Sequence, residues 1–233
     1  MTGRAKVREH LLKESGGAQS TVESMTSYVR RVLRRVASKF STNMPEHSRE
    51  LLLRMLPADA VGAEIGVHEG DFSRRILDVL KPRRMHLIDP WQYQTGEEFA
   101  EAYYGGKAKG GQTQLDKRYL SVLQRFKPEI QTGQVEVHRA LSNQVAVQFP
   151  DEYFDFVYID GDHRYAAVKE DLELYFNKLK VRGLLCGDDY GEAGWWSNGV
   201  KRAVDGFASN NAVKILSLEH YQFVLEKAQP AAK

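Results

Sequence analysis

The chain predicts a mostly parallel α/β sheet of seven strands, with helices on both faces and an antiparallel strand pair at its C-terminal end. Short apolar runs alternate with helix-length segments from about residue 48 to residue 207. Two of those runs, Phe156–Ile159 and Leu184–Cys186, are each followed by acidic residues, which places carboxylates at the edge where open α/β sheets bind ligands. The last two apolar runs are closely spaced, as in an antiparallel pair added to a parallel sheet.

The elements follow in order. Residues 1–20 are polar and end in Ser15-Gly16-Gly17-Ala18-Gln19-Ser20, which reads as a mobile segment or a short helix followed by a linker. Val22, Met25, Val29, Val32, Leu33, Val36 and Phe40 then recur at three- and four-residue steps, with Arg30, Arg31, Arg34 and Arg35 between them, so this stretch predicts a basic amphipathic helix. A helix is expected near Ser48–Met55, a strand at Val61–Ile65, a helix at Phe72–Leu80 and a strand at Met85–Ile88. An insertion from Trp91 to about Gly111 holds Gly105, Gly106, Gly110 and Gly111, which suggest a lid. Beyond it come a helix over Leu115–Phe126, a strand at Val135–His138, a short helix after Ser142 and the strand Phe156–Ile159. Tyr165, Val168, Leu172, Tyr175 and Leu179 trace one face of a helix, followed by the strand Leu184–Cys186 and a helix over Val200–Phe207. Val213–Leu218 and Tyr221–Leu225 make the terminal pair. The expected domains are a basic extension over 1–42, a main domain over 43–228 with 91–111 as its insertion, and a tail over 229–233.

Charge narrows the function classes. Residues 1–42 carry nine Lys/Arg against three Glu, a net of +6, whereas the remainder is mildly acidic at −4. The body therefore has no electrostatic footprint for tracking a phosphate backbone, and no nucleic-acid partner is expected. The basic helix either packs on the body or a second subunit, or makes a peripheral contact with an anionic membrane. Its apolar face, and the frequency of twofold assemblies, make a homodimer the default. The single cysteine, Cys186, cannot form an internal disulfide and reads as buried packing. With no apolar span of membrane length and no signal-peptide pattern, the expectation is cytoplasmic.

The chemistry-bearing residues fall into two groups. Asp160, in Tyr158-Ile159-Asp160-Gly161-Asp162-His163, and Asp188 and Asp189, in Gly187-Asp188-Asp189-Tyr190, could converge although they are far apart in sequence. Three carboxylates that close repel one another unless protonated or bound to a cation, and Mg²⁺ or another hard divalent ion suits an oxygen cluster. The second group begins with Glu64-Ile65-Gly66-Val67-His68-Glu69-Gly70-Asp71-Phe72-Ser73. Gly66 and Gly70 permit close backbone approach to a ligand, and Asp89, at the tip of the next strand, is placed to accept ribose hydroxyls. The loop lacks the glycine patterns that bind phosphates, and Glu64 and Glu69 would repel a pyrophosphate but tolerate a cationic ligand. His68 either touches such a ligand or faces solvent.

From about Leu51 to Glu226 the chain resembles class I S-adenosylmethionine-dependent methyltransferases, with a Rossmann-like sheet. The Tyr-Ile-Asp-Gly-Asp-His and Gly-Asp-Asp-Tyr segments flanking a helix are similar to those of metal-dependent O-methyltransferases acting on macrolide sugars, and of a mycobacterial branch acting on mannosides. The resemblance implies that Glu64, Gly66 and Gly70, with His68 and Ser73 in the same loop, line the methionine end of S-adenosylmethionine. It implies that Asp89 holds the ribose, that Ala140, Leu141 and Ser142 contact adenine, and that Asp160 borders the cofactor. Asp160, Asp188 and Asp189 match the metal ligands, and His163 occupies the general-base position. The implied reaction is methyl transfer to a hydroxyl of a sugar or related polyol, on a small-molecule or oligosaccharide acceptor. Trp195, Trp196, Tyr93, Phe99, Tyr103 and Tyr104 form either an acceptor platform or an oligomer contact. Asp162 is read as a helix cap. The competing readings are a nucleic-acid or catechol-type methyltransferase and a non-catalytic cofactor-binding scaffold.

Overall fold

The computed structural model describes residues 44–229 apart from Ala193, with side chains from Ser48 onward. The expected amphipathic helix over Val22–Phe40, and with it the membrane or dimer contact, lies outside the described residues. Helix α1 (Met44–Leu53) leads into β1 (Val61–Ile65), α2 (Asp71–Leu80) and β2 (Arg84–Ile88). These are followed by α3 (Gly111–Arg125), α4 (Lys127–Gln131), β3 (Val135–His138), α5 (Ser142–Ala146) and β4 (Phe154–Ile159). The chain continues through α6 (Tyr165–Lys178), β5 (Leu179–Gly187), α7 (Gly199–Asn210), β6 (Val213–Ser217) and β7 (Phe223–Lys227).

All seven strands form one sheet in the order β3-β2-β1-β4-β5-β7-β6. Every residue of β1 is buried, as a central parallel strand must be when helices cover both faces. Two buried clusters result. Phe72, Ile76, Leu77 and Phe126 pack on one face, and Val168, Leu172, Tyr175, Val204 and Phe207 on the other. Helix α2 buries Phe72, Ser73, Ile76, Leu77 and Leu80, a stripe at helical spacing. It ends at Lys81, in the left-handed region, just before Pro82. Strand order runs outward to β2 and β3 on one side of β1, and to β5 on the other side of β4. The switch point therefore lies between the tips of β1 and β4, where ligands bind in such sheets.

Two strand boundaries differ from the expectations. β7 starts at Phe223 rather than Tyr221, because His220 and Tyr221 both take positive φ in the turn that precedes it. It enters between β5 and β6 and is antiparallel to both, so the C-terminal pair is present but only β7 runs against the rest of the sheet. β5 begins at Leu179, which the helical pattern had claimed, and pairs across a register shift with Phe154 and Phe156. In the 91–110 segment, Trp91, Phe99, Ala102 and Ala108 are buried. A side chain on Gly105 or Gly106 would lie 2.2 Å from the Phe99 carbonyl oxygen or 2.3 Å from that of Ala100. These two glycines let the segment pack on itself.

Candidate active site

Parallel pairing sets the tips of β1, β4 and β5 side by side, with Ile65 opposite Ile159 and Ile159 opposite Gly187. The Asp188 N–H donates to the Ile159 carbonyl, at 3.2 Å, and the Asp160 N–H to that of Ile65, at 2.8 Å. Asp160, Asp188 and Asp189 are thereby gathered at one edge, as their positions after two apolar strands imply. The structure divides them in use. The Asp160 Oδ1, Asp189 Oδ2 and His163 Nε2 atoms converge, with Nε2 3.0 Å from Asp189 Oδ2 and 3.5 Å from Asp160 Oδ1. That nitrogen is buried yet has no hydrogen-bond geometry to any partner among the described residues. Asp188 instead receives Arg49, from α1, through Nε at 2.8 Å and Nη2 at 2.5 Å, and its other oxygen accepts from the Asp189 N–H and Gln222 Nε2. Arg49 Nη2 also donates to Asp160 Oδ2 at 2.6 Å.

The cluster's electrostatics follow from burial. Burial pushes the Asp189 carboxyl up to about 8, with Asp160 and Asp188 adding repulsion and His163 opposing it. Asp188 is raised for the same first reason, against the pull of Arg49. Burial works against the charge on His163, but Asp160 and Asp189 raise its pKa overall. Arg49 is likewise opposed by burial, and the Asp160 and Asp188 carboxylates hold its guanidinium protonated. The converging Asp160 Oδ1 and Asp189 Oδ2 atoms are hard oxygen donors that fit a divalent cation, and the His163 nitrogen beside them, without a hydrogen bond, is placed as a base. Asp188 Oδ2 can join that set only by releasing Arg49, while Oδ1 keeps Gln222 and the Asp189 N–H. Neither Arg49 nor Gln222 was legible as a site residue.

The β1–α2 loop lies at the same edge of the sheet, with Gly66 against the Asp160 backbone. Gly66, at φ 90°, has no room for a Cβ, which would meet the Asp160 carbonyl oxygen at 2.1 Å. Gly70, at φ 78°, caps α2, and its Cβ would strike the Phe126 ring at 2.7 Å. Each glycine thus has a packing reason of its own. Gly66→Ala should destabilise the protein by roughly 3 kcal/mol or more, combining strain with overlap, as a urea titration would measure. A variant with wild-type stability would show that the β1 and β4 tips yield.

Glu64 is 2 % exposed and accepts from Ser73 Oγ. Burial pushes its carboxyl up to about 8, with the Ser73 hydrogen bond opposing. The folded protein keeps this proton to about pH 8, whereas an unfolded chain releases it near 4.5. The stability it contributes is complete below the lower value and lost as pH rises through the upper one. Glu64→Gln should therefore flatten the fall in stability across that interval; an unchanged slope would assign the titration to other groups.

Asp89 accepts from the backbone N–H groups of Val67 and His68, both at 3.0 Å, and of Trp91, at 2.7 Å. It latches the β1 loop to the tip of β2, leaving limited acceptor capacity for a ligand. His68, at φ 54°, places its ring edge-on to Tyr103, with centroids 5.5 Å apart. Ser142 donates to Asp171, and Tyr175 Oη donates to the Ser142 carbonyl at 2.9 Å, so the Ala140–Ser142 turn is fixed by α6 while Leu141 stays exposed. Asp162 accepts from the Arg164 N–H at 3.0 Å and pairs with the Arg164 side chain. It stands upstream of the helix rather than capping it, because α6 begins at Tyr165 with Arg164 as N-cap.

The aromatic residues separate into two sets. Phe99 is buried, and Tyr93 and Tyr104 pack against the core. Trp196 stands edge-on to His163 at 4.7 Å, and its Nε1 is buried without a hydrogen-bond partner among the described residues. The 194–199 loop reaches this position because Gly199 lies against the His163 carbonyl, where a Cβ would be 2.4 Å away.

The domain-level comparison matches the family described as "Methyltransferase domain" to residues 63–190. No curated protein matches the chain by sequence. Among solved structures, the chain is similar to an O-methyltransferase from Bacillus cereus in complex with SAH, at 15% identity and TM-score 0.51, covering 78% of each chain. It is similar to the O-methyltransferase NovP at 18% identity and TM-score 0.52, covering 81% of this chain and 79% of that one. The N-methyltransferase NodS from Bradyrhizobium japonicum WM9 aligns at 14% identity and TM-score 0.52, over 80% of this chain and 97% of that one. At these identities the likenesses establish the fold, which O- and N-methyltransferases share. No helix among the described residues is long and apolar enough to cross a membrane. Because the family match spans more than half of the sequence and ends on the acidic tip of β5, the chain belongs to the methyltransferase-domain family and is a class I S-adenosylmethionine-dependent methyltransferase.

Proposed function

We propose that the protein methylates a hydroxyl of a sugar or related polyol, with a divalent cation held by Asp160 and Asp189 and with His163 as the base. The observation that carries this reading is the convergence of His163 Nε2 on Asp160 Oδ1 and Asp189 Oδ2 beside the switch point of the sheet. S-adenosylmethionine supplies the methyl group as an electrophile on a sulfonium. A divalent ion such as Mg²⁺ supplies Lewis acidity that lowers the pKa of a bound hydroxyl.

The protein's own residues do the rest. Glu64, Gly66, His68, Gly70 and Ser73 line the methionine end, where the Glu64 carboxyl, protonated at neutral pH, acts as a hydrogen-bonding group. Asp89 keeps the loop in shape and offers its remaining acceptor capacity to the ribose, and Ala140, Leu141 and Ser142 border the adenine. His163 takes the hydroxyl proton, and Asp160 and Asp189 stabilise the imidazolium that forms. Trp196 gives the acceptor an apolar wall and one indole N–H donor, a combination suited to a sugar ring. The 91–111 segment covers the crevice, and the working form is a cytoplasmic homodimer with no nucleic-acid partner.

The test is a panel of sugars, glycosides, catechols and short RNAs incubated with the protein and S-adenosylmethionine, with methylated products identified by mass spectrometry. Methylated sugar or polyol hydroxyls are expected. Methylation confined to RNA or catechol would overturn the acceptor class, and no turnover on any acceptor would favour a binding scaffold. His163→Ala should lower kcat by roughly 10²-fold or more and remove the rise of rate with pH that a basic imidazole imposes, with metal affinity unchanged. A parallel loss of metal affinity would instead make His163 a ligand.

A further inference from the structure

A second cluster of side chains of metal-ligating type lies at the outer edge of the sheet. β3 is the terminal strand on that side and pairs in parallel with β2, placing His86 opposite Glu136 and Ile88 opposite His138. Residues 136 and 138, two apart on one strand, share a face, and the His86 side chain meets them there. His86 Nδ1 is 3.0 Å from His138 Nε2. The Glu136 carboxylate faces the pair, with one oxygen, Oε2, 3.7 Å from His86 Nδ1 and the other, Oε1, 3.7 Å from His138 Nε2.

We propose that His86, His138 and Glu136 form a cation site for a zinc-class divalent ion, which fastens edge strand β3 to β2. Bonds of about 2.0–2.1 Å from a tetrahedral ion put neighbouring donor atoms roughly 3.3–3.4 Å apart, between the two separations observed. Two imidazoles and one carboxylate favour zinc over the oxygen-seeking magnesium and calcium ions. The surroundings suit the role. His86 is 2 % exposed, and its other ring nitrogen lies 3.1 Å from the Tyr153 hydroxyl, an outer partner that can hold the proton on Nε2 and leave Nδ1 free. Phe149 and Phe154 pack edge-on against the His86 ring, fixing its plane. Burial lowers the pKa of both histidines, which favours the neutral form that ligates. The Glu136 side chain is 53 % exposed, which provides an entry path and leaves the fourth position to water.

The test uses untagged, metal-stripped full-length protein carrying Asp189→Asn, so that the cluster at the β4 and β5 tips does not contribute. Zn²⁺ is titrated calorimetrically, and Co²⁺ is added as a spectroscopic probe whose visible bands are intense when four-coordinate. One Zn²⁺ per chain and intense Co²⁺ bands are expected. Glu136→Gln, at an exposed position that leaves the fold intact, should weaken binding by roughly 10-fold or more. His138→Ala should weaken it further, and Tyr153→Phe by roughly 10-fold through the outer partner. Absence of Zn²⁺ binding, or a Co²⁺ spectrum unchanged by both Glu136→Gln and His138→Ala, would overturn the site and leave a hydrogen-bonded histidine pair.

Discussion

Asp189→Ala is expected to lower kcat by roughly 10³-fold while leaving affinity for S-adenosylhomocysteine close to that of the wild type. The residue stands at the tip of β5 with φ 62°, and its Oδ2 lies 3.0 Å from His163 Nε2. Its removal takes a carboxylate from both the proposed cation and the proposed base. The residues assigned to the cofactor, Glu64 and Asp89, sit on β1 and at the tip of β2 and exchange no hydrogen bond with it. Steady-state kinetics and calorimetric titration with S-adenosylhomocysteine separate the two effects. An unchanged kcat would remove Asp189 from the chemistry, and lost cofactor affinity would make it part of the cofactor wall.

Arg49→Met should have the second largest effect, in two opposite directions. The guanidinium lies within 2.6 Å of both Asp160 Oδ2 and Asp188 Oδ2, so it neutralises charge that a cation would otherwise neutralise. Deleting it strands two neighbouring carboxylates. Fully buried pairs cost 3–5 kcal/mol when broken in this way, and with the Arg49 side chain 31 % exposed, about 2 kcal/mol is expected in metal-free protein. The same change frees Asp188 to bind a cation, so Mg²⁺ or Mn²⁺ should bind more tightly than to wild type and restore the lost stability. Urea unfolding with and without the ion reads both effects. Destabilisation that the ion does not reverse, together with weaker ion binding, would assign Arg49 to scaffolding alone.

The sheet and the placement of the acidic tips were legible because each depends on local pattern. Apolar runs such as Phe156–Ile159 can only be buried strands in an alternating chain, and a residue just past such a strand must emerge at the sheet edge. The partners of those residues were not legible. Arg49 reaches Asp160 and Asp188 across 111 and 139 residues, and nothing in its own helix distinguishes it from a solvated arginine. Gln222 is hidden in a turn, and nothing local marks His86 within its strand until β3 brings Glu136 and His138 beside it. Glycine was legible by position and not by cause, since Gly70 makes room for Phe126. Cys186 matches its expected role: it is buried against the Val157 carbonyl, and burial alone pushes its thiol far above the range of a nucleophile.

Turnover of S-adenosylmethionine by EDTA-stripped protein, with Mg²⁺ or Mn²⁺ added back and a sugar acceptor present, tests the central claim most directly. Product should be absent after stripping, return on titration of the ion in the wild type, and fail to return in Asp189→Asn. Full activity in the stripped protein, or an equal response to the ion in the variant, would contradict a cation-assisted transfer at the β4 and β5 tips.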